Sequence, residues 1–345
     1  MKTVLVTGGA GFFGELLIKQ LLNNGFYCVS IDLEDDQLFH PNLVSIKGDI
    51  RNLETLEPLF SKYKFEVVFH CAAILAHAVK DKNLLWTSNV DGTKNIAELA
   101  KNYNVKQFIF ISSNCLWAEN FKRAVREEDI PKPVEIYGKS KWEAEKILLN
   151  YRNYFNVIIF RTPTIIDSGR LGLLAILFEF IYESRKVWVV GAGNNKYQFI
   201  YAQDLVNACL KAMDYNDSDI FNVGSDGVKS FKEVYNYVIQ KANTRARVAS
   251  LPKKLTLLLM KATYLLKMSP LGPYQYKMIA ESFVFDTSKV KAKLEWEPTL
   301  TNEEMLYKGY EYYSRNIEDI RKISNVSAHK QPAKMGIIKL LKWLS

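Results

Sequence analysis

A doubly wound α/β fold, a parallel sheet covered by helices on both faces, is what this sequence of 345 residues predicts. Through the first two-thirds of the chain, short and nearly uninterrupted apolar runs alternate with longer amphipathic ones. Strands of that kind are buried on both faces, as in a parallel sheet. The first run ends in a glycine-rich turn that opens a helical pattern directly, as a Rossmann-type layer does.

In chain order, strands are expected at 2–7, 27–32, 43–47, 66–70, 107–112 and 157–161. Helices are expected between them, at about 14–24, 53–62, 84–103 and 137–154. Right-handed crossovers wind such a series into one sheet. After Arg161 the alternation loosens, with helical stretches at 171–185, 202–214 and 230–241 and short strands near Val187 and Phe221. Residues 251–267 read as an apolar helix with Pro252 in its first turn, broken by Ser269-Pro270-Leu271-Gly272-Pro273. The expected organisation is a nucleotide-binding layer over 1–165 with parts of 195–225, a smaller C-terminal α/β substrate-binding portion over 166–315, and a tail over 316–345.

Composition narrows the class. A hydrophobic content of 48% and a charged content of 24% describe an ordinary soluble globular protein. The net charge of +9 is spread along the chain and accompanies no nucleic-acid motif, so an acidic small ligand or an anionic surface is expected, and no nucleic acid. Cys28, Cys71, Cys115 and Cys209 stand apart from one another, in neither a disulfide framework nor a metal-ligand pattern. We therefore expect no metal and a reducing cytoplasm. The first residues show no signal-peptide pattern, and no apolar run reaches the ~18–20 residues that span a bilayer.

The turn Thr7-Gly8-Gly9-Ala10-Gly11-Phe12-Phe13-Gly14 joins the first strand to the first helix. Gly8 permits the tight turn, Gly11 lets the backbone approach a pyrophosphate, and Gly14 lets helix and strand pack closely. Exposed N–H groups and the helix dipole would hold the phosphates. Asp32 ends the next strand, eighteen residues after Gly14, where a carboxylate accepts from both ribose hydroxyls and repels a 2′-phosphate. No arginine follows Asp32 to receive that phosphate, so the expected cofactor is NAD rather than NADP. Asp49 and Ile50 follow the third strand and face adenine on one reading; on another, Asp49 caps a helix.

Tyr137-Gly138-Lys139-Ser140-Lys141 begins a helix, which puts Tyr137 and Lys141 on one face at i, i+4 spacing. A free tyrosine titrates near pH ~10, too high for an efficient base. A neighbouring ammonium and a positive nicotinamide ring would lower it. Ser113, at the end of the fifth strand, is placed to hydrogen-bond the reacting oxygen. Cofactor turn, acidic strand end, serine, tyrosine and lysine occur in the order a hydride-transfer enzyme needs.

Over residues 1–315 the sequence resembles the extended short-chain dehydrogenase/reductase superfamily, in its NAD-dependent epimerase/dehydratase branch. Further matching segments are His70-Cys71-Ala72-Ala73, Asn89-Val90-Asp91-Gly92-Thr93, Ser112-Ser113, Arg161 at the end of strand six, and Phe199-Ile200-Tyr201-Ala202-Gln203-Asp204-Leu205. The resemblance implies a homodimer with Tyr137 as acid/base, Lys141 on the nicotinamide ribose, and Phe12, Phe13, Cys71, Ala72 and Ala73 along the cofactor. It implies further cofactor contacts at Asn89, Ile111, Arg161 and Pro163. Taken by themselves, Asn89 reads as a structural hydrogen bonder and His70 as a packed strand-end histidine.

Departures from the branch's patterns narrow the reaction. The Asp-Glu pair that follows the triad's Thr/Ser in sugar-nucleotide 4,6-dehydratases is Asn114-Cys115 here, which argues against dehydration. Ser113-Asn114-Cys115 resembles instead the Ser-x-Cys of GDP-mannose 3,5-epimerase and GDP-fucose synthase, which implies that Cys115 handles a proton; the alternative is a small packing residue. Arg161-Thr162-Pro163-Thr164 differs from the Arg-Tyr-Phe-Asn of UDP-galactose 4-epimerases, and Tyr197 stands where their diphosphate arginine would. The candidate substrate contacts are Asn114, Thr164, Arg170, Lys196, Tyr197 and Lys277, with a nucleotide sugar as the expected substrate. Arg-x-Pro-Thr and the apolar 251–267 segment are similar to the 3β-hydroxysteroid dehydrogenase-like branch, which keeps a lipid-type substrate open. In the tail, Ile337, Ile338, Leu341 and Leu344 gather opposite Lys334, Lys339 and Lys342. Such a basic amphipathic helix suits either an anionic membrane surface or docking on its own domain or a dimer mate.

Overall fold

The computed structural model describes residues 2–75, 81–118, 121–266, 272–322 and 332. Its strands are β1 (Thr3–Thr7), β2 (Tyr27–Asp32), β3 (Leu43–Lys47), β4 (Val67–His70), β5 (Gln107–Ser113), β6 (Asn156–Thr162), β7 (Thr164–Ile166), β8 (Lys186–Val190), β9 (Phe199–Tyr201), β10 (Asp219–Asn222) and β11 (Arg247–Leu251). Seven of them form one sheet in the order β3-β2-β1-β4-β5-β6-β10, every neighbouring pair parallel. The chain winds outward from β1 to β3, then restarts at β4 on the other side of β1. That reversal opens a crevice at the strands' carboxyl ends, where open α/β sheets bind ligands.

The helices are α1 (Phe12–Asn23), α2 (Leu53–Lys62), α3 (Lys82–Trp86), α4 (Gly92–Asn102), α5 (Ile136–Leu149), α6 (Leu174–Tyr182) and α7 (Ala202–Ala212). They continue with α8 (Phe231–Ala242), α9 (Lys253–Leu265), α10 (Pro273–Met278), α11 (Ser288–Leu294), α12 (Asn302–Arg315) and α13 (Ile317–Ile320). Successive strand residues point to opposite faces, so Val4 and Val6 pack on one side of the sheet and Leu5 on the other. The first face is closed by Leu17 and Leu21 of α1 and by Leu205 and Cys209 of α7. The second is closed by Phe60 of α2, Ile96 of α4 and Leu148 of α5. Each such buried leucine or phenylalanine contributes roughly 1.5–3 kcal/mol, which is why these strands read as unbroken apolar runs. A third core joins α6, α8 and α12 through Phe178, Val234 and Leu306.

The elements depart from the sequence expectation where tertiary contacts intervene. The single helix expected over 84–103 is α3, a wider π-type turn at Thr87–Asp91, and α4. The Asn89 side chain within that turn bonds Ile74 and Ser140, contacts that hold it open. Helix α5 stops at Leu149, and Tyr151 beyond it stacks on Phe155. Pro252 precedes α9 as its cap residue instead of lying in its first turn, because 247–251 is taken up by β11 pairing with β8. The expected tail, apart from residues 316–322 and 332, lies outside the described residues.

Candidate active site

The crevice at the switch point opens into a cavity of about 1200 Å³. Its floor is the turn after β1. Gly8 has φ +76°, and a Cβ on it would stand 2.6 Å from the Ala72 nitrogen. A Cβ on Gly14 would stand 2.1 Å from the Gly8 carbonyl oxygen. Only glycine fits either place. Gly11 precedes α1, and no side chain caps that helix. The first-turn N–H groups therefore face the cavity unclaimed by any side chain, where they fit a pyrophosphate.

Asp32, on the cavity wall, accepts from the Ala10 N–H at 3.1 Å and the Glu34 N–H at 3.2 Å. Burial raises its carboxyl above the usual range, while those N–H groups oppose the rise. Glu34 and Asp35 line the same end, so a 2′-phosphate would meet three carboxylates. Asp49 and Ile50 close it. Asp49 is not the cap of α2: Asn52 accepts from the Glu54 N–H, and Asp49 is ion-paired to Arg51 at 2.5 Å.

Toward the middle of the cavity the ends of β5 and α5 meet. Ser113, Tyr137 and Lys141 all line it, with Cys71, Ala72, Ala73, Ile111 and Pro163 beside them. Burial raises the Tyr137 phenol above its ordinary range, and Cys115 adds to this. A hydrogen bond from Ser113 and the charge of Arg170 act in the other direction. Lys141 is 2% exposed, and burial lowers its ammonium to about 7. Its Nζ stands 3.9 Å over the Phe110 ring. The charge of Arg170 thus offsets part of the burial of the phenol.

Arg170 donates from Nε to the Ile165 carbonyl at 3.2 Å, and its guanidinium lies 5.8 Å over the Phe12 ring. Its Nη1 is buried without a hydrogen-bond partner. Burial lowers this arginine to about 10, and Tyr137 opposes the fall. An unpaired guanidinium nitrogen in the same cavity as the candidate base is suited to an anionic or carbonyl oxygen of a ligand. The Tyr197 hydroxyl is held between the Asn114 amide at 2.9 Å and the Thr164 hydroxyl at 3.2 Å, and all three residues face the cavity. Burial pushes the Cys115 thiol up to about 11, so at neutral pH it is a proton donor and not a thiolate.

Four expected ligand contacts are corrected. Asn89 does not face the cavity: it accepts from the Ile74 N–H at 2.7 Å and donates to Ser140 at 3.0 Å, a structural brace. Arg161 lies away from the cavity as well, paired with Glu145 at 2.8 Å with both side chains at most 2% exposed, its Nη1 donating to the Glu127 carbonyl. A buried guanidinium needs such a carboxylate, and here that need takes it away from the cofactor. Lys196 is exposed, its backbone bonded to Ser282, and does not line the cavity. Lys277 is on α10, whose Tyr274, Gln275 and Met278 face the cavity in its place. His70 is the packed histidine expected, bonded to Thr7 at 2.6 Å and Thr93 at 2.8 Å.

The far wall escaped the sequence reading. Val187 and Val190 of β8, Tyr235 of α8, Leu251 of β11 and Met260 of α9 line it. Glu135, just before α5, also lines the cavity and accepts from the Tyr274 N–H at 2.8 Å. These residues come from segments with no shared motif.

Residues 4–224 match the NAD dependent epimerase/dehydratase family. The chain belongs to this family. It is an NAD-dependent enzyme of the extended short-chain dehydrogenase/reductase type, and the unclaimed start of α1 and Asp32 fit that cofactor. Over 343 residues, 99% of the chain and 86% of the relative, it is 35% identical to an uncharacterized protein, y4nG, of Sinorhizobium fredii. It is 25% identical to a UDP-glucuronate 4-epimerase of Thermodesulfobacterium geofontis, over 94% of this chain and 99% of that one. A UDP-glucose 4-epimerase of Thermotoga maritima, solved with UDP-glucose, superposes with a TM-score of 0.76 at 26% identity, covering 91% of this chain and 99% of that one.

Proposed function

We propose that this enzyme oxidises a hydroxyl carbon of a sugar, most simply a nucleotide-activated one, to a transient ketone and reduces it again, as an epimerase or as a net oxidoreductase. The observation that carries the reading is the meeting of Ser113, Tyr137 and Arg170 in one cavity with the unclaimed N-terminus of α1. NAD, held by the α1 N–H groups, Asp32 and Lys141, supplies the hydride acceptor and donor. Tyr137 removes the hydroxyl proton while Ser113 holds the same oxygen. Arg170 stabilises the phenolate and faces the oxygen that becomes the ketone. A cavity of about 1200 Å³ leaves room for that ketone to turn before Tyr137 returns the proton. Asn114, Thr164 and Tyr197 are the polar groups that orient the sugar ring. The relatives named for UDP-sugars support the substrate class.

A second reading takes a steroid or a lipid-linked molecule as the substrate. The apolar far wall favours it, since Lys141 and Arg170 are the only cations among the described lining residues. A thermal-shift panel with NAD present separates the two, because a ligand raises the melting temperature with its affinity and concentration. UDP-, GDP- and CDP-sugars raise it on the first reading, polyprenyl-linked sugars or sterols on the second. No response to any nucleotide sugar overturns the first. We extend the proposal to a homodimer in the cytoplasm, for which light scattering of the purified enzyme gives the mass.

A further inference from the structure

Six of the fourteen large apolar side chains exposed among the described residues lie between positions 255 and 266. They are Leu255 (55%), Leu258 (65%), Leu259 (55%), Tyr264 (42%), Leu265 (71%) and Leu266 (68%). Single exposed leucines need no explanation, but a patch of this kind does. With about 3.6 residues per turn, Leu255, Leu258, Leu259 and Leu265 share one side of α9, continued by Leu266. On its inner side Thr256 is buried and Met260 faces the cavity, so the outward apolar stripe is set by the fold and not by fraying.

Charge says what the stripe meets. Residues 234–280 contain eight Lys or Arg and no Asp or Glu. Lys254 and Lys261, both exposed and one heptad apart, border the stripe. Lysines so placed reach headgroups while the leucines enter the acyl boundary. A second copy of the chain would bring the same cations against this face. Residues 333–345 hold Lys334, Lys339 and Lys342 and no acidic residue, so they too would be repelled. No helix of the described residues is long and apolar enough to cross a membrane, so α9 would lie along a surface.

We propose that the outer face of α9 docks this enzyme on an anionic lipid bilayer, with the helix in the interface plane. Docking there brings the apolar end of the cavity, walled by Met260 from the same helix, next to the membrane. The proposal concerns the surface and does not rest on the substrate reading above.

The test is flotation of the full-length enzyme, with NAD, on phosphatidylcholine vesicles with and without phosphatidylglycerol. Binding is expected only to the anionic vesicles and should weaken with salt. Leu258→Glu with Leu259→Glu should lower it at least about tenfold at unchanged melting temperature, since these side chains are already in water. Lys254→Glu with Lys261→Glu should lower it less and flatten the salt dependence. Absence of flotation overturns the proposal, as does flotation untouched by the α9 variants but lost in full-length Ile338→Glu/Leu341→Glu. A sharp fall in melting temperature or a smaller solution mass in the leucine variants overturns it too, because the face is then covered by the chain's own tail or by a second copy.

Discussion

At the cofactor end of the cavity the wall is built on strand ends: the turn after β1, Asp32 closing β2, and Ala72-Ala73 after β4. At the far end it is formed by residues brought from β8, α8, β11, α9 and α10. A wall made of backbone needs particular residues at particular spacings, such as Gly8 at φ +76°. A wall made of apolar side chains needs only volume and hydrophobicity, which many residues supply. Between the two stand Tyr137 and Arg170, one anchored on α5 and the other on the loop after β7.

Substitutions can break or sharpen this contrast. The largest effect is expected at Arg161, the residue first placed on the cofactor. Arg161→Met leaves Glu145 buried without its partner, which costs about 3–5 kcal/mol of stability. If Arg161 is structural, denaturant unfolding registers the loss while the folded protein keeps its NAD affinity in calorimetry. An intact stability with weakened NAD binding would return the residue to the cofactor end.

Tyr137→Phe comes next. It removes only the proton-transfer oxygen, so turnover of the sugar found by thermal shift should fall about 100-fold or more with NAD binding close to intact. Substantial residual turnover would remove the tyrosine from the acid/base role.

Arg170→Met should act at the substrate and at the base. Loss of a charged hydrogen-bond donor raises KM about tenfold. The arginine's charge lowers the Tyr137 pKa, so without it the phenol titrates higher and the rising limb of the pH–rate profile moves to higher pH. An unmoved limb would mean that the phenol does not feel this charge once the cofactor is bound.

The smallest effect is on cofactor choice. The wild-type enzyme should prefer NAD over NADP by about tenfold or more, and Asp32→Ala should narrow the gap from both sides, losing ribose hydrogen bonds and relieving repulsion. Equal affinities in the wild type would show that Asp32, Glu34 and Asp35 do not exclude a 2′-phosphate.

The parallel sheet and the places of Gly8, Gly11, Gly14, Asp32, Ser113, Tyr137 and Lys141 were legible in the sequence, because each belongs to a short segment whose geometry is local: a turn, a strand end, one helical turn. Partner choice was not. Arg161 and Asn89 sit in matching motifs, yet their polar groups are claimed by Glu145 and by Ile74 and Ser140, 15 or more positions away in the chain. Lys196 and Lys277 carried the right charge for a phosphate, and neither lines the cavity. Arg170 shares the cavity with Tyr137 from the loop after β7, where its guanidinium lies over Phe12 of α1. The sequence by itself determined the fold and the places of the residues held by backbone turns, since sterics and hydrogen bonding act there over a few residues. Which charges meet the ligand, and which helix shows its leucines to the outside, only the tertiary structure decided, because burial and electrostatics are summed over contacts between distant segments.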